Sequence, residues 1–217
     1  MTDAEGGITE LSYDARNRIT SVTKKGKTED VTLSMTYDNL NNVTSITDGE
    51  GNTHRMEYNE LSQLVKVYDA KGVLTGKYDY DSLGNCISVT DAFGTVTERS
   101  YDAFGNLIKE LNKDTGNAVN YAYIGGRYLS AATDALGNSA SYTYDSMGNL
   151  ETVTNPNGGV TTYKHDLNGN VTDEIIGEEY HVRYTYNAQN LADSKTNSRS
   201  QRAEYKYDLL GRITEQK

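Results

Sequence analysis

Tyr80-Asp81-Ser82-Leu83-Gly84-Asn85-Cys86 decides the fold of this chain, because the same phrase returns ten times along it. Tyr101-Asp102-Ala103-Phe104-Gly105-Asn106 and Tyr144-Asp145-Ser146-Met147-Gly148-Asn149 are close copies, and weaker ones start at Tyr13, Tyr37, Tyr58, Tyr123, His165, Tyr186 and Tyr207. The steps between the ten starts are 24, 21, 22, 21, 22, 21, 21, 21 and 21 residues. A period this steady is the mark of a repeat architecture, in which each unit packs on its neighbours. Residues 1–217 are therefore expected to form a single array of about ten repeats.

Each period carries two turn signals. In mid-chain they are Asp81-x-x-Gly84, Asp91-x-x-Gly94 and Asp102-x-x-Gly105, followed later by Asp134-x-x-Gly137, Asp145-x-x-Gly148, Asn155-x-x-Gly158 and Asp166-x-x-Gly169. Asp at the first position is expected to accept hydrogen bonds from main-chain N–H groups two or three residues on. Gly at the fourth supplies the positive φ that closes a type I turn with a bulge. Gly84, Gly94, Gly105, Gly137, Gly148, Gly169 and Gly211 are the predicted turn glycines. The signals alternate 10 and 11 residues apart, leaving room for a strand of ordinary length on each side. The spacing predicts an all-β fold: an antiparallel meander of β-hairpins, two strands per repeat and about 20 in all. A sheet that long cannot stay flat, since neighbouring strands rotate by roughly 20–25°, so a curved or spiralling ribbon with open edges is expected.

Composition agrees. Apolar residues make up only 35% of the chain, 18 of them are Tyr, and there are two Phe and no Trp, which argues against a thick two-layer core. Mean hydropathy is −0.71, yet disorder would not keep Tyr, Gly and apolar residues in register. The net charge of −10 opposes nucleic-acid binding. The single Cys86 cannot form an internal disulfide and fills the apolar slot that Leu107, Leu150 or Val171 fills elsewhere. No apolar run approaches membrane-spanning length, and the start Met1-Thr2-Asp3-Ala4-Glu5 is acidic, unlike a signal peptide. The chain is expected to be a piece of a longer protein.

Fifteen of the 18 tyrosines fall in two slots, the last residue of the first strand and the one two before it, as in Tyr78/Tyr80, Tyr121/Tyr123, Tyr142/Tyr144, Tyr184/Tyr186 and Tyr205/Tyr207. Residues two apart share a face of the sheet. Tyr80, Tyr101, Tyr123, Tyr144, Tyr186 and Tyr207 are therefore predicted to form a structural ladder locking one hairpin to the next. The second strand carries apolar pairs three apart, such as Ile19/Val22, Val43/Ile46, Cys86/Val89 and Leu150/Val153. They lie on opposite faces of a regular strand, or on one face if a bulge intervenes.

These motifs resemble the YD repeat of the Rhs family, Tyr-Asp-x-x-Gly-Asn/Arg-Leu followed by Thr-Asp-x-x-Gly-x-x-Thr-x-x-Tyr. The match is close from Tyr80 to Tyr101, where Thr90-Asp91-Ala92-Phe93-Gly94-Thr95 supplies the second half, and Thr133-Asp134-Ala135-Leu136-Gly137-Asn138 repeats that half. Tyr207-Asp208-Leu209-Leu210-Gly211-Arg212-Ile213 matches the first half again. The resemblance implies a spiralling β-shell of the kind found in bacterial polymorphic toxins, insecticidal Tc toxin complexes and teneurins. By that resemblance the chain is a non-catalytic segment of shell wall whose parent protein is secreted or on the cell surface and encapsulates or presents a C-terminal effector. Its partners would be neighbouring repeats, an enclosed effector and, through open sheet edges, further copies of itself. The family's Asp-Pro-x-Gly processing motif has no counterpart, since the one proline, Pro156, follows Asn155.

No catalytic, cofactor or metal site is expected. His54, His165 and His181 occupy different places in the repeat, and no Cys/His spacing suggests zinc. Asp166-Leu167-Asn168-Gly169-Asn170 with Asp173-Glu174 has the outline of a calcium loop, but Val171 stands where the sharp turn needs Gly. Asn42-Val43-Thr44 and Asn170-Val171-Thr172 are glycosylation sequons placed in the usual turn-to-strand slot. The alternative reading is a carbohydrate- or protein-binding adhesion module, which would need tyrosines clustered outside the ladder. Tyr68, Tyr128 and Tyr180 are the three outside it.

Overall fold

The computed structural model describes residues 7–26 and 28–217, so the acidic start at residues 1–5 lies outside the described residues. Those described form twenty strands joined as an antiparallel meander, with no helix among them. Two compact units divide the chain, Met1–Ser100 with Leu111–Gly116 and Tyr101–Glu110 with Asn117–Lys217. Within each unit the hairpins follow one another in chain order, as a repeat with short turns requires.

The hairpin of Leu74–Tyr80 and Cys86–Asp91 shows the local logic. Main-chain N–H of Asp81 donates to the Asn85 carbonyl at 3.0 Å, and that of Gly84 to the Asp81 carbonyl at 3.1 Å. Gly84 has φ of 91°, a region that costs other residues roughly 1–2 kcal/mol. Gly94, Gly105, Gly137, Gly148, Gly169 and Gly211 also have positive φ, as do Asn17, Asn41, Ser62 and Asn190, which hold the glycine's place in the weaker copies.

Asp81 corrects one expectation. Its Oδ1 accepts from the N–H of Leu83 and of Asn85, two and four residues on, each at 2.9 Å. The residue three on, Gly84, gives its N–H to the Asp81 carbonyl instead, because that bond closes the turn. Oδ2 then accepts from the Asn85 amide at 2.9 Å. This explains why Asn follows Gly in the motif: it completes the coordination of the carboxylate.

A bulge answers the question of the apolar pairs. Tyr80 pairs with Cys86 and Asp79 with Ser88, leaving Ile87 as an extra residue. That insertion restores parity, so Cys86 opposite Tyr80 and Val89 opposite Tyr78 share one face. Ile19/Val22, Val43/Ile46 and Leu150/Val153 behave the same way, opposite Tyr13/Leu11, Tyr37/Met35 and Tyr144/Tyr142.

The residue before the turn marks where the bulge falls. Strands with Thr47, Thr90, Thr133 and Thr154 before the turn enter it with regular register. Strands ending in an aromatic residue shift, including the one ending in His165 and the one ending in Tyr68, although Tyr68 sits at the opposite edge from the other aromatic ends. Burial is shallow throughout. Val182 and Ser194, each 2% exposed, are the deeply buried side chains among the described residues, so stability rests on cross-strand contacts and hydrogen bonds.

Candidate functional site

The polar and aromatic side chains converge along the edge formed by the aromatic-Asp turns. Five of the six named ladder tyrosines reach back one repeat through their hydroxyls. Tyr80 donates its hydroxyl proton to the Leu64 carbonyl at 2.8 Å, Tyr123 to Leu107 at 3.0 Å, Tyr144 to Leu129 at 2.9 Å, Tyr186 to Val171 at 2.8 Å and Tyr207 to Ala192 at 2.7 Å. Tyr37, in the same slot of its repeat, does the same to Ile19 at 2.6 Å.

The acceptors share one position. Ile19, Leu64, Leu129, Val171 and Ala192 each pair with the turn-entering aromatic of the preceding repeat, beside its bulge. A bulge interrupts the hydrogen-bond ladder, and the next repeat's hydroxyl satisfies main-chain acceptors there. Tyr101 ends its own strand at the same slot. Burial pushes the hydroxyls of Tyr80, Tyr123 and Tyr186 above their ordinary pKa, with nearby charges adding to it.

A second link runs between successive turns, through the residue after the glycine. Arg18 Nη1 donates to the Asp38 carbonyl at 2.8 Å, Asn42 Nδ2 to Ser62 Oγ at 3.1 Å and Gln63 Nε2 to the Gly84 carbonyl at 3.4 Å. Asn106 Nδ2 donates to the Gly126 carbonyl at 2.9 Å, and Asn170 Nδ2 to Asn190 Oδ1 at 3.1 Å. The same amides bind their own turn's carboxylate, as Asn106 does Asp102 and Asn170 does Asp166. One side chain therefore fixes its own turn and its neighbour's. Sequence reading missed this belt, although the recurrence of Asn, Gln or Arg five residues after the aromatic was a visible signal. Arg18 also lies 4.6 Å from the Tyr37 ring centre, within cation–π range.

These bonds shape the electrostatics. Hydrogen bonds from the following Asn hold the carboxyls of Asp38, Asp81, Asp102, Asp145 and Asp166 below the usual range. The Asp166 carboxylate, in the stretch with a calcium-loop outline, is occupied by Asn168 N–H and by the N–H and Nδ2 of Asn170. Both sequon amides, Asn42 and Asn170, are engaged by Asp38 and Asp166 in the same manner.

Away from this edge the chemistry is sparse. Asp173 accepts from His181 Nε2 at 2.7 Å and from Arg183 Nε at 3.4 Å. Burial raises its pKa, but bonds from His181, Thr172 and Arg183 outweigh that and leave it lowered. The three histidines lie on separate strands, Thr53–Tyr58, Val160–His165 and Tyr180–Tyr186. Among the described residues no group of three or more His, Cys, Asp or Glu is placed to hold a metal ion. No helix there is long and apolar enough to cross a membrane. Tyr68, Tyr128 and Tyr180 stand on three different strands, and Tyr128 packs against the ladder itself, 4.8 Å from the Tyr144 ring.

Comparison with known proteins agrees with this geometry. A family model described as RHS Repeat matches residues 37–74, 80–118 and 126–160. No curated protein matches the chain. Among solved structures, the crystal structure of TcdB2-TccC3 without its hypervariable C-terminal region is similar at a TM-score of 0.65 and 15% identity, covering 95% of this chain and 15% of that one. TcdB2-TccC3-Cdc42 gives 0.52 at 14% identity, covering 99% and 17%. A Photorhabdus luminescens Tc holotoxin pore gives 0.52 at 13% identity, again covering 99% and 17%. The likeness is one of fold, and the chain spans less than a fifth of the length of those chains.

Proposed function

The chain belongs to the RHS repeat family, and on that premise we propose that it is a non-catalytic wall segment of a larger secreted or cell-surface shell. In its parent protein the array would encapsulate or present a C-terminal effector. The observation that carries this reading is where the polar side chains go. The Asp81 carboxylate, the Asn85 and Asn106 amides and the Tyr144 hydroxyl are engaged by their own turn or by main chain of an adjacent repeat, so the recurring chemistry of the motif goes into closing turns and joining repeat to repeat. Nearest-neighbour coupling of this kind is what a wall requires.

Protease protection tests the reading. The chain is produced together with the flanking repeats and downstream segment of its parent protein, and digestion of that segment is followed beside the same segment alone. A shell predicts that the enclosed segment outlasts its free form until the repeats themselves are cut. Equal digestion rates would contradict encapsulation and leave the adhesion reading to be tested on a glycan panel.

A further inference from the structure

The turn edge carries an apolar row that neither the tyrosine ladder nor the polar belt uses. The third residue after the aromatic is large, apolar and exposed in most repeats, Leu40, Leu61 and Leu83 in one unit and Phe104, Met147 and Leu210 in the other, with Leu167 and Leu209 one place earlier, whereas Arg16, Gly126 and Gln189 interrupt the row. Phe104 is 76% exposed, Leu167 87% and Leu209 fully so. The local structure forces them outward, because the main-chain N–H of Leu83, Phe104, Met147 and Leu210 is tied to the turn carboxylate. Their side chains stand largely exposed, the Phe104 ring lying against Gly126 of the next repeat.

Between these projections lie clefts. One of about 380 Å³ is lined by Asn59, Leu61, Gln63, Val65, Tyr78 and Tyr80. Its equivalent in the other unit, about 570 Å³, is lined by Asn187, Gln189, Leu191, Asp193, Tyr205 and Tyr207. Every one of these residues holds the same place in its own repeat as its counterpart. Within each unit the exposed turn residues and the cleft therefore lie on the repeat spacing of two strands, roughly 10 Å.

We propose that this edge of the unit Tyr101–Glu110 with Asn117–Lys217 is a self-complementary docking surface whose occupant is a second copy of this chain, set so that exposed turn residues of one copy enter the inter-turn cleft of the other. The shared spacing is the first argument: an isologous pairing needs a surface that matches itself, and a second copy presents its apolar turn residues at the same multiples of two strands. Area is the second. Phe104, Met147, Leu167, Leu209 and Leu210 offer on the order of 700 Å² of exposed side chain, against the roughly 800 Å² per partner of a standard interface. Scattered exposed apolar residues need no explanation, but a regular row of them marks an interaction surface. At the opposite edge the corresponding turn position holds Glu50, Lys71, Asn157 and Arg199, with large exposed apolar side chains there at Phe93 and Leu136.

Sedimentation equilibrium on the full chain tests the proposal. One variant carries Phe104→Ser, Met147→Ser, Leu167→Ser and Leu210→Ser; the control carries Phe93→Ser and Leu136→Ser. Circular dichroism confirms that both keep the parent sheet signal, as substitution of exposed turn residues should allow. The parent is expected to dimerise in a way that high salt strengthens, since two copies of charge −10 repel. The first variant should weaken that association at least tenfold and the control should leave it unchanged. A parent that stays monomeric up to millimolar concentration overturns the proposal. Equal weakening by both variants overturns it as well, showing unspecific apolar adhesion, and undiminished association of the first variant assigns the contact to the end strands instead. None of these outcomes bears on protease protection, so the docking surface and the wall reading fail separately.

Discussion

The two turn edges of this protein are built from the same backbone and do different work. Asp91 at one edge and Asp81 at the other both close their turns through a main-chain bond from a glycine three residues on, at 3.1 Å in each case. Beyond that they diverge. The strand entering the Asp91 turn has Thr90 before the Asp and runs in regular register, whereas the strand entering the Asp81 turn ends in Tyr80 and meets a bulge. At the far edge the Asn138 amide stays within its own turn, on Asp134 Oδ2. Its counterpart Asn106 reaches the next turn as well. These two turns, alike in backbone, therefore act as a simple reversal at one edge and as a coupler at the other, while the aromatic residue before the Asp goes with the bulge at both, Tyr68 included. Bulges bend a strand and raise its local twist, which leans each coupling turn toward its neighbour.

The largest expected difference between the edges lies in their glycines. Gly94 and Gly148 have nearly the same φ, 84° and 86°, but an added Cβ at Gly94 meets open space while one at Gly148 runs into the Tyr128 hydroxyl. Gly94→Ala should cost about 1 kcal/mol through the left-handed conformation alone. Gly148→Ala should cost about 2–4 kcal/mol, since overpacking against Tyr128 adds to it. Urea melts of the two variants check this, and equal losses would mean that the coupling edge is no tighter than the other.

Acid should act chiefly on the coupling edge. Asp38, Asp81, Asp102, Asp145 and Asp166 are lowered there, first by the amide of the following Asn, while Asp48 and Asp134 are lowered in the same way at the far edge. Their folded pKa lies below the unfolded value of about 3.9. The stability these bonds confer is thus complete above about pH 5 and is lost as pH falls through 4 and below. Thermal midpoints should be flat from neutral pH down to about 5 and then drop. Replacing Asn85, Asn106, Asn149 and Asn170 with Ser should make the drop shallower, and an unchanged slope would sever the link between the Asn and the carboxylate.

The smallest effect isolates the belt. Asn106→Ala and Asn138→Ala each remove an amide from a turn carboxylate, but only the first also breaks a bond to the next turn. The difference between them should be about 0.5–1 kcal/mol, the net worth of one hydrogen bond. A double-mutant cycle is unnecessary, since the far-edge variant serves as the reference.

Much of this was legible in the residues. Two turns per 21-residue period gave the strand number and the meander, because Asp and Gly at fixed spacing act through local backbone geometry alone. Tyr80 and its equivalents were expected to form an aligned set on strand periodicity alone. What they do with their hydroxyls was not readable, since the acceptor is a main-chain carbonyl some fifteen residues away whose availability depends on a bulge. The bulge itself left only an ambiguous trace, apolar pairs such as Cys86/Val89 spaced three apart. Asp81 was read as a turn residue, but the choice of Leu83 and Asn85 over Gly84 as donors follows from competition for one N–H, which needs the geometry. Tyr68-Asp69 shows the limit from the other side: it carries the aromatic-Asp signature and the bulge, yet lies at the edge where Thr-Asp is the rule.

The central claim is that the turn-entering tyrosine couples one repeat to the next through its hydroxyl, and Tyr144 and Tyr142 test it on a single strand. Tyr144 donates to the Leu129 carbonyl of the preceding repeat at 2.9 Å, whereas Tyr142 pairs with Val153 two residues away on the same face and belongs to no such bond. Each is replaced by Phe, which keeps the ring and removes only the hydroxyl, and unfolding free energies are measured in urea. The account predicts a loss of about 1 kcal/mol for Tyr144→Phe and less than about 0.5 kcal/mol for Tyr142→Phe, within the range of an uninvolved substitution. Equal effects, or a larger one at Tyr142, would contradict it.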